Sequence, residues 1–184
     1  MVNDALCYSE ADPLRSRRLR PGQQPSMPPT AVEFASGRSR LRFWWAGDRW
    51  RHAVITPAGQ WESLEECEQP GDDPNWPRSP VFTEVSLVDS AAGGAVLGVG
   101  LAGRSHFSLA VSRPPHRPDT LLFEAACRIQ DLPIWLGSTY RGADGGIVRL
   151  AARVPDPPAT ACWAYQIGPR GIEVVAGMAA TASG

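Results

Sequence analysis

Alternation of apolar and polar side chains is densest between Val81 and Ile129. It predicts four consecutive strands, Val81–Val88, Ala95–Leu101, Ser105–Ser112 and Thr120–Ile129. In the third, Phe107, Leu109 and Val111 alternate with His106, Ser108, Ala110 and Ser112. In the fourth, Leu121, Phe123, Ala125, Cys127 and Ile129 form one set, and Thr120, Glu124 and Arg128 stand opposite. A period of two sends alternate side chains to opposite faces of a sheet, so this tract reads as antiparallel sheet with one strongly apolar face.

A second pattern lies between Leu41 and Thr56. Gly47-Asp48 is a two-residue hairpin turn with glycine first, as a type II′ turn prefers. Folding about it sets Ala46 against Arg49, Trp45 against Trp50, Trp44 against Arg51 and Phe43 against His52. One face then carries Leu41, Phe43, Trp45, Trp50, His52 and Val54 and belongs in a core. The other carries Arg42, Trp44, Arg49 and Arg51 and belongs outside.

The segment Gln60–Cys67 fits two readings. Ser63 with Glu66 suits a capping box and one short helix, whereas a strand folding back on His52–Thr56 suits the turn at Thr56–Gly59. The acidic, proline-bearing run Glu65–Pro80 reads as a loop over a sheet edge with Trp76 as a plug, and Asp131–Arg141 as irregular chain. Ile147–Val154 alternates again, and Ala161–Ile167 with Ile172–Gly177 forms a last hairpin around Gly168-Pro169-Arg170-Gly171.

About nine strands with at most one short helix predict an all-β fold. The reading is an antiparallel β-sandwich, with a closed or partly open β-barrel as the alternative. Residues 1–30, rich in Arg and Pro and poor in apolar periodicity, read as a disordered tail. Residues 31–178 form one β domain, and residues 179–184 fray.

Composition narrows the function classes. The formal net charge of −1 over 184 residues argues against a generally cationic polymer binder and so against nucleic acid as the partner. All 18 basic side chains are arginine. Abundant Gly, Pro, Ala and Arg together suggest a GC-rich bacterial genome, which weakens any argument that a particular Arg was selected over Lys for its geometry. No apolar run is long enough to span a bilayer. The N-terminus has no apolar signal region, and the cysteines Cys7, Cys67, Cys127 and Cys162 are widely spaced, so the expectation is a cytoplasmic protein with reduced thiols.

Candidate chemistry is sparse. Gly98-Val99-Gly100-Leu101-Ala102-Gly103 has the letters of a dinucleotide loop, but a strand follows where the pyrophosphate needs a helix N-terminus. Ser105 and His106 are neighbours on a strand and point to opposite faces, so they do not form a nucleophile–base pair. The three histidines and four cysteines lack the short ligand spacings of metal sites. The reading therefore assigns no metal, no cofactor and no catalytic residue.

Two features remain. His52 falls on the aromatic core face, where it suits either a hydrogen-bonded core histidine or the wall of a pocket. Arg42, Trp44, Arg49 and Arg51 could stack as a cation–π ladder on the exposed hairpin face, unless the acidic residues between Glu62 and Asp73 cover them. The leading expectation is a non-enzymatic binding module with a protein or glycan partner. A small-molecule binder with an aromatic pocket around His52, and a hydrolase whose residues converge only in space, are the alternatives.

Overall fold

A computed structural model describes residues 31–65, 76–89 and 93–175. Twelve strands and no helix occur among them: β1 (Ala31–Ser36), β2 (Ser39–Trp45), β3 (Trp50–Thr56), β4 (Gly59–Ser63), β5 (Glu84–Val88), β6 (Ala95–Ala102), β7 (Ser105–Ser112), β8 (Leu121–Ile129), β9 (Gly137–Gly142), β10 (Ile147–Ala151), β11 (Ala159–Gly168) and β12 (Gly171–Val174). They form two six-stranded antiparallel sheets. Sheet I has the order β1-β2-β3-β4-β9-β10, and sheet II the order β12-β11-β8-β7-β6-β5. The sheets do not close into a barrel, and the arrangement is a sandwich. The proposed tails at 1–30 and 179–184, and Cys7 and Cys67, lie outside the described residues.

The alternation found in the sequence is the inside–outside alternation of sheet II. Phe107, Leu109 and Val111 of β7, and Leu121, Phe123, Ala125, Cys127 and Ile129 of β8, are all buried. They meet Leu41, Phe43, Trp50 and Val54 from sheet I in a single core. The hairpin register is also as expected, with Trp45 opposite Trp50, Trp44 opposite Arg51 and Phe43 opposite His52. Gly47 adopts φ +97° at the turn.

The structure amends four details. Trp45 shares the core-facing side of its strand, yet it is 38% exposed while Trp50 is 2% exposed. Its position at the hairpin tip carries it past the end of the sandwich, where it packs edge-on against Trp50 at 5.9 Å. The 60–67 segment is strand, not helix, as far as it is described: β4 pairs with Ala53–Thr56 of β3. Residues expected to be irregular form β9, which lies between β4 and β10. The strand count is therefore twelve rather than nine.

Gly98 and Gly100 have a structural reason. Phe82 is buried against β6, and a methyl on Gly100 would overlap the Val81 carbonyl, while one on Gly98 would press on the Phe82 ring at 3.1 Å. Small residues there let the chain entering β5 cross close to the sheet. Asp119 ties the two sheets at one end. Its carboxylate accepts from the Arg38 backbone N–H at 2.5 Å and from the Arg38 guanidinium at 2.8 and 3.0 Å, and its carbonyl accepts from Ser39 Oγ at 2.5 Å.

Candidate functional site

Two places concentrate polar chemistry: a seam inside the sandwich, and the outer face of sheet I. The seam starts at His52 on β3. Its Nε2 lies 2.9 Å from Tyr140 Oη on β9, and Tyr140 Oη lies 2.8 Å from Tyr165 Oη on β11. Ser138, two residues before Tyr140 and so on the same face, accepts from Trp163 Nε1 at 2.9 Å. These side chains cross from one sheet to the other through hydrogen bonds that satisfy most of their polar atoms. His52 Nδ1 is buried without a partner.

Burial sets the protonation of the seam. His52, removed from water with no anion beside it, is pushed down to about 3 and stays neutral. The hydroxyls of Tyr140 and Tyr165 are pushed up, first by burial, with Tyr165 reaching about 12. Cys127, inside the core, is likewise raised to about 12 by burial, so its thiol is an inert apolar group. Glu65 differs. Burial raises it to about 7 against the opposing pull of Ser63 Oγ–H and the Arg51 guanidinium. Ser63 donates to its Oε1, and Arg51 Nε donates to its Oε2 at 3.3 Å.

Around Glu65 the chain is bound tightly. Leu64 N–H donates to the Thr139 carbonyl at 3.0 Å, and Arg78 N–H donates to the Glu65 carbonyl at 3.4 Å. Ser79 Oγ donates to the Thr139 carbonyl at 3.0 Å and accepts from Thr139 N–H at 2.8 Å. This polar stitching ties the buried segment 78–80 to β9. Trp76, expected as a plug, is half-buried and lies 6.0 Å from the Phe107 ring.

The outer face of sheet I carries the residues singled out in the sequence. Arg42 on β2 is exposed and stands across from Glu33 of β1, with charged atoms 3.9 Å apart, the loose limit of an ion pair. Trp44 is half-buried and lies between Ala31 and Arg51 in register. Arg49 pairs with Asp48 at 2.5 Å in the turn. Arg51 is turned toward Glu65, so the acidic segment takes one of the three arginines. His52 belongs to the interior seam and is separate from this face.

Registered rows extend the face across the sheet. Glu33, Arg42, Ala53, Glu62 and Arg141 stand side by side, and Ala35, Arg40, Ile55 and Gln60 form the next row. Arg149 of β10 lies over the Trp135 ring at 5.8 Å. Among the described residues, five arginines (40, 42, 51, 141 and 149) thus stand on this face with Glu33 and Glu62, and Arg51 is paired with the buried Glu65, so arginines outnumber carboxylates there on a chain of net charge −1.

Hollows also lie elsewhere among the described residues. One of about 390 Å³ opens beside Trp50, Glu84, Ser86, Leu97 and Val99, and one of about 250 Å³ opens beside Arg117, Gln166, Arg170 and Glu173. Neither reaches His52. Among the described residues, no three His, Cys, Asp or Glu side chains come together as metal ligands, and no helix is long and apolar enough to cross a membrane. Cys127 and Cys162 are free thiols.

No family model matches the chain, and no curated protein or solved structure gives a significant match.

Proposed function

We propose that this protein is a non-enzymatic binding module whose sheet I outer face engages an acidic segment of a partner protein. The observation that carries this reading is the alternation of Arg40 and Arg42 with Leu41 on β2. It projects two exposed guanidiniums from the sheet, with Trp44 next along the same face. Guanidiniums on a rigid strand present planar forks at fixed spacing, and an aromatic neighbour adds contact area at low entropic cost.

The interior supports the non-enzymatic part. A general base works when its pKa lies near the operating pH and it reaches substrate. His52 is held far below neutrality, and the tyrosines and Cys127 are held far above it. Glu65 lies near neutrality, but its oxygens are engaged by Ser63 and Arg51 and its side chain is 1% exposed. The pocket reading would set a ligand against His52. That space holds the rings of Phe43 at 4.9 Å and Phe123 at 6.1 Å.

Retention on immobilised poly-L-glutamate tests the proposal, because a chain of net charge −1 is retained only through a local cationic patch. Wild type should be retained and eluted by salt, and Arg40→Glu/Arg42→Glu should pass through unretained with an unchanged melting temperature. Passage of wild type, or equal retention of both proteins, overturns the assignment. Retention on heparin but not on poly-L-glutamate would replace the acidic protein by an acidic glycan.

A further inference from the structure

The opposite side of the molecule is different in kind. Leu97, Val99 and Leu101 project outward from β6 at 41%, 47% and 50% exposure. Several outward positions of the neighbouring strands are small, namely Ser108 and Ala110 on β7, Ala126 on β8, and Cys162 and the buried Ala164 on β11, with His106, Glu124 and Arg128 as larger polar positions among them. A sheet face with an aliphatic ridge and small residues beside it is a surface that a second sheet can approach closely.

We propose that the outer face of sheet II is a self-association surface, packed face to face against the same face of a second copy of this chain. The charge pattern of the face is self-complementary. Val99, Ser108, Ala126 and Cys162 stand opposite one another in successive strand pairs and make one row across the sheet. Leu97, Ala110, Glu124 and Ala164 form the row on one side of it. Leu101, His106, Arg128 and Thr160 form the row on the other.

A two-fold axis lying in the interface along the central row exchanges the two flanking rows. It sets Glu124 against Arg128 of the second copy, twice, and Leu97 against its Leu101, twice. Val99, Ser108, Ala126 and Cys162 each meet their own counterparts. Such an isologous contact is self-complementary, as closed symmetry requires. Twist rotates the packed sheets by roughly 30°, so contact is tight at the central strands and opens toward β5, where Glu84 lies on the axis row and would otherwise face its twin.

Charge-swap rescue in solution tests the proposal. Sedimentation of the full chain at micromolar concentration should give twice the 19.8 kDa chain mass. Glu124→Arg and Arg128→Glu should each weaken association by about tenfold or more, and the double variant Glu124→Arg/Arg128→Glu should restore it. Ser108→Arg, which sets two cations against each other on the axis row, is the second probe should either reversal fail to fold. In a Cys7→Ser/Cys67→Ser background, a short bis-maleimide should join Cys162 to Cys162. A monomeric wild type overturns the proposal, whether Cys162 then labels freely or is shielded by another part of the chain. So does a dimer indifferent to all three substitutions, or one that Cys162 does not crosslink.

Discussion

His52 and Glu65 are both sealed inside the sandwich, and burial moves them in opposite senses along the pH axis. His52 falls from 6.5 to about 3, so the folded state disfavours its proton, and stability is lost as pH drops below 6.5. Glu65 rises from 4.5 to about 7, so the folded state favours its proton. That stability is complete below 4.5 and is lost as pH climbs through 7. Each contributes a slope of up to about 1.4 kcal/mol per pH unit, and between 4.5 and 6.5 the two slopes oppose each other. Wild type should therefore be nearly level in urea melts across that window. Glu65→Gln should expose the histidine and lose stability toward acid, whereas His52→Gln should expose the carboxyl and lose stability toward neutrality. Parallel profiles for the two variants would contradict this account. The tryptophans give a second comparison at this scale. Trp50→Ala empties a core site and should cost about 3–5 kcal/mol, while Trp45→Ala, at the tip, should cost about 1 kcal/mol, the worth of one aromatic pair.

At the scale of elements, legibility in the sequence followed how each strand is buried. β8 was readable because its inward side chains are apolar, and period two then marks the face without help from anything distant. β9 was not. Ser138 and Tyr140 face inward as hydrogen-bonding groups, and Thr139 on the other side is buried beneath segment 78–80, so no apolar alternation exists to be read. The seam was hidden for the same reason. His52 could be placed on the inner face from its hairpin, but the pairings Arg51–Glu65, Tyr140–Tyr165 and His52–Tyr140 span 14, 25 and 88 residues, and only the fold supplies them. The glycines of β6 were visible as letters, and their meaning lies in the chain that crosses them. Gly100→Ala should push the new methyl into the Val81 carbonyl and cost about 1–3 kcal/mol. Gly98→Ala meets a ring that can yield and should cost less. Equal and negligible effects in thermal melts would place Phe82 elsewhere.

For the molecule as a whole, the two proposals assign its two broad faces to different tasks, and their geometry has a joint consequence. Packing sheet II on sheet II leaves the two arginine-bearing faces of sheet I pointing in opposite directions. A single flat acidic surface then meets one of them, and a polyvalent acidic chain can bridge separate dimers. Bridging multiplies weak contacts, because each second attachment on the same polymer is intramolecular. Poly-L-glutamate added to wild type should therefore give salt-reversible turbidity with a maximum near charge balance, decreasing again when polymer is in excess. Glu124→Arg, monomeric but with sheet I intact, should bind the polymer without turbidity. Arg40→Glu/Arg42→Glu, dimeric but without the cationic face, should neither bind nor cloud. Turbidity from the monomeric variant would show that one copy holds two acid-binding faces, contrary to the division between an arginine face on sheet I and an aliphatic face on sheet II.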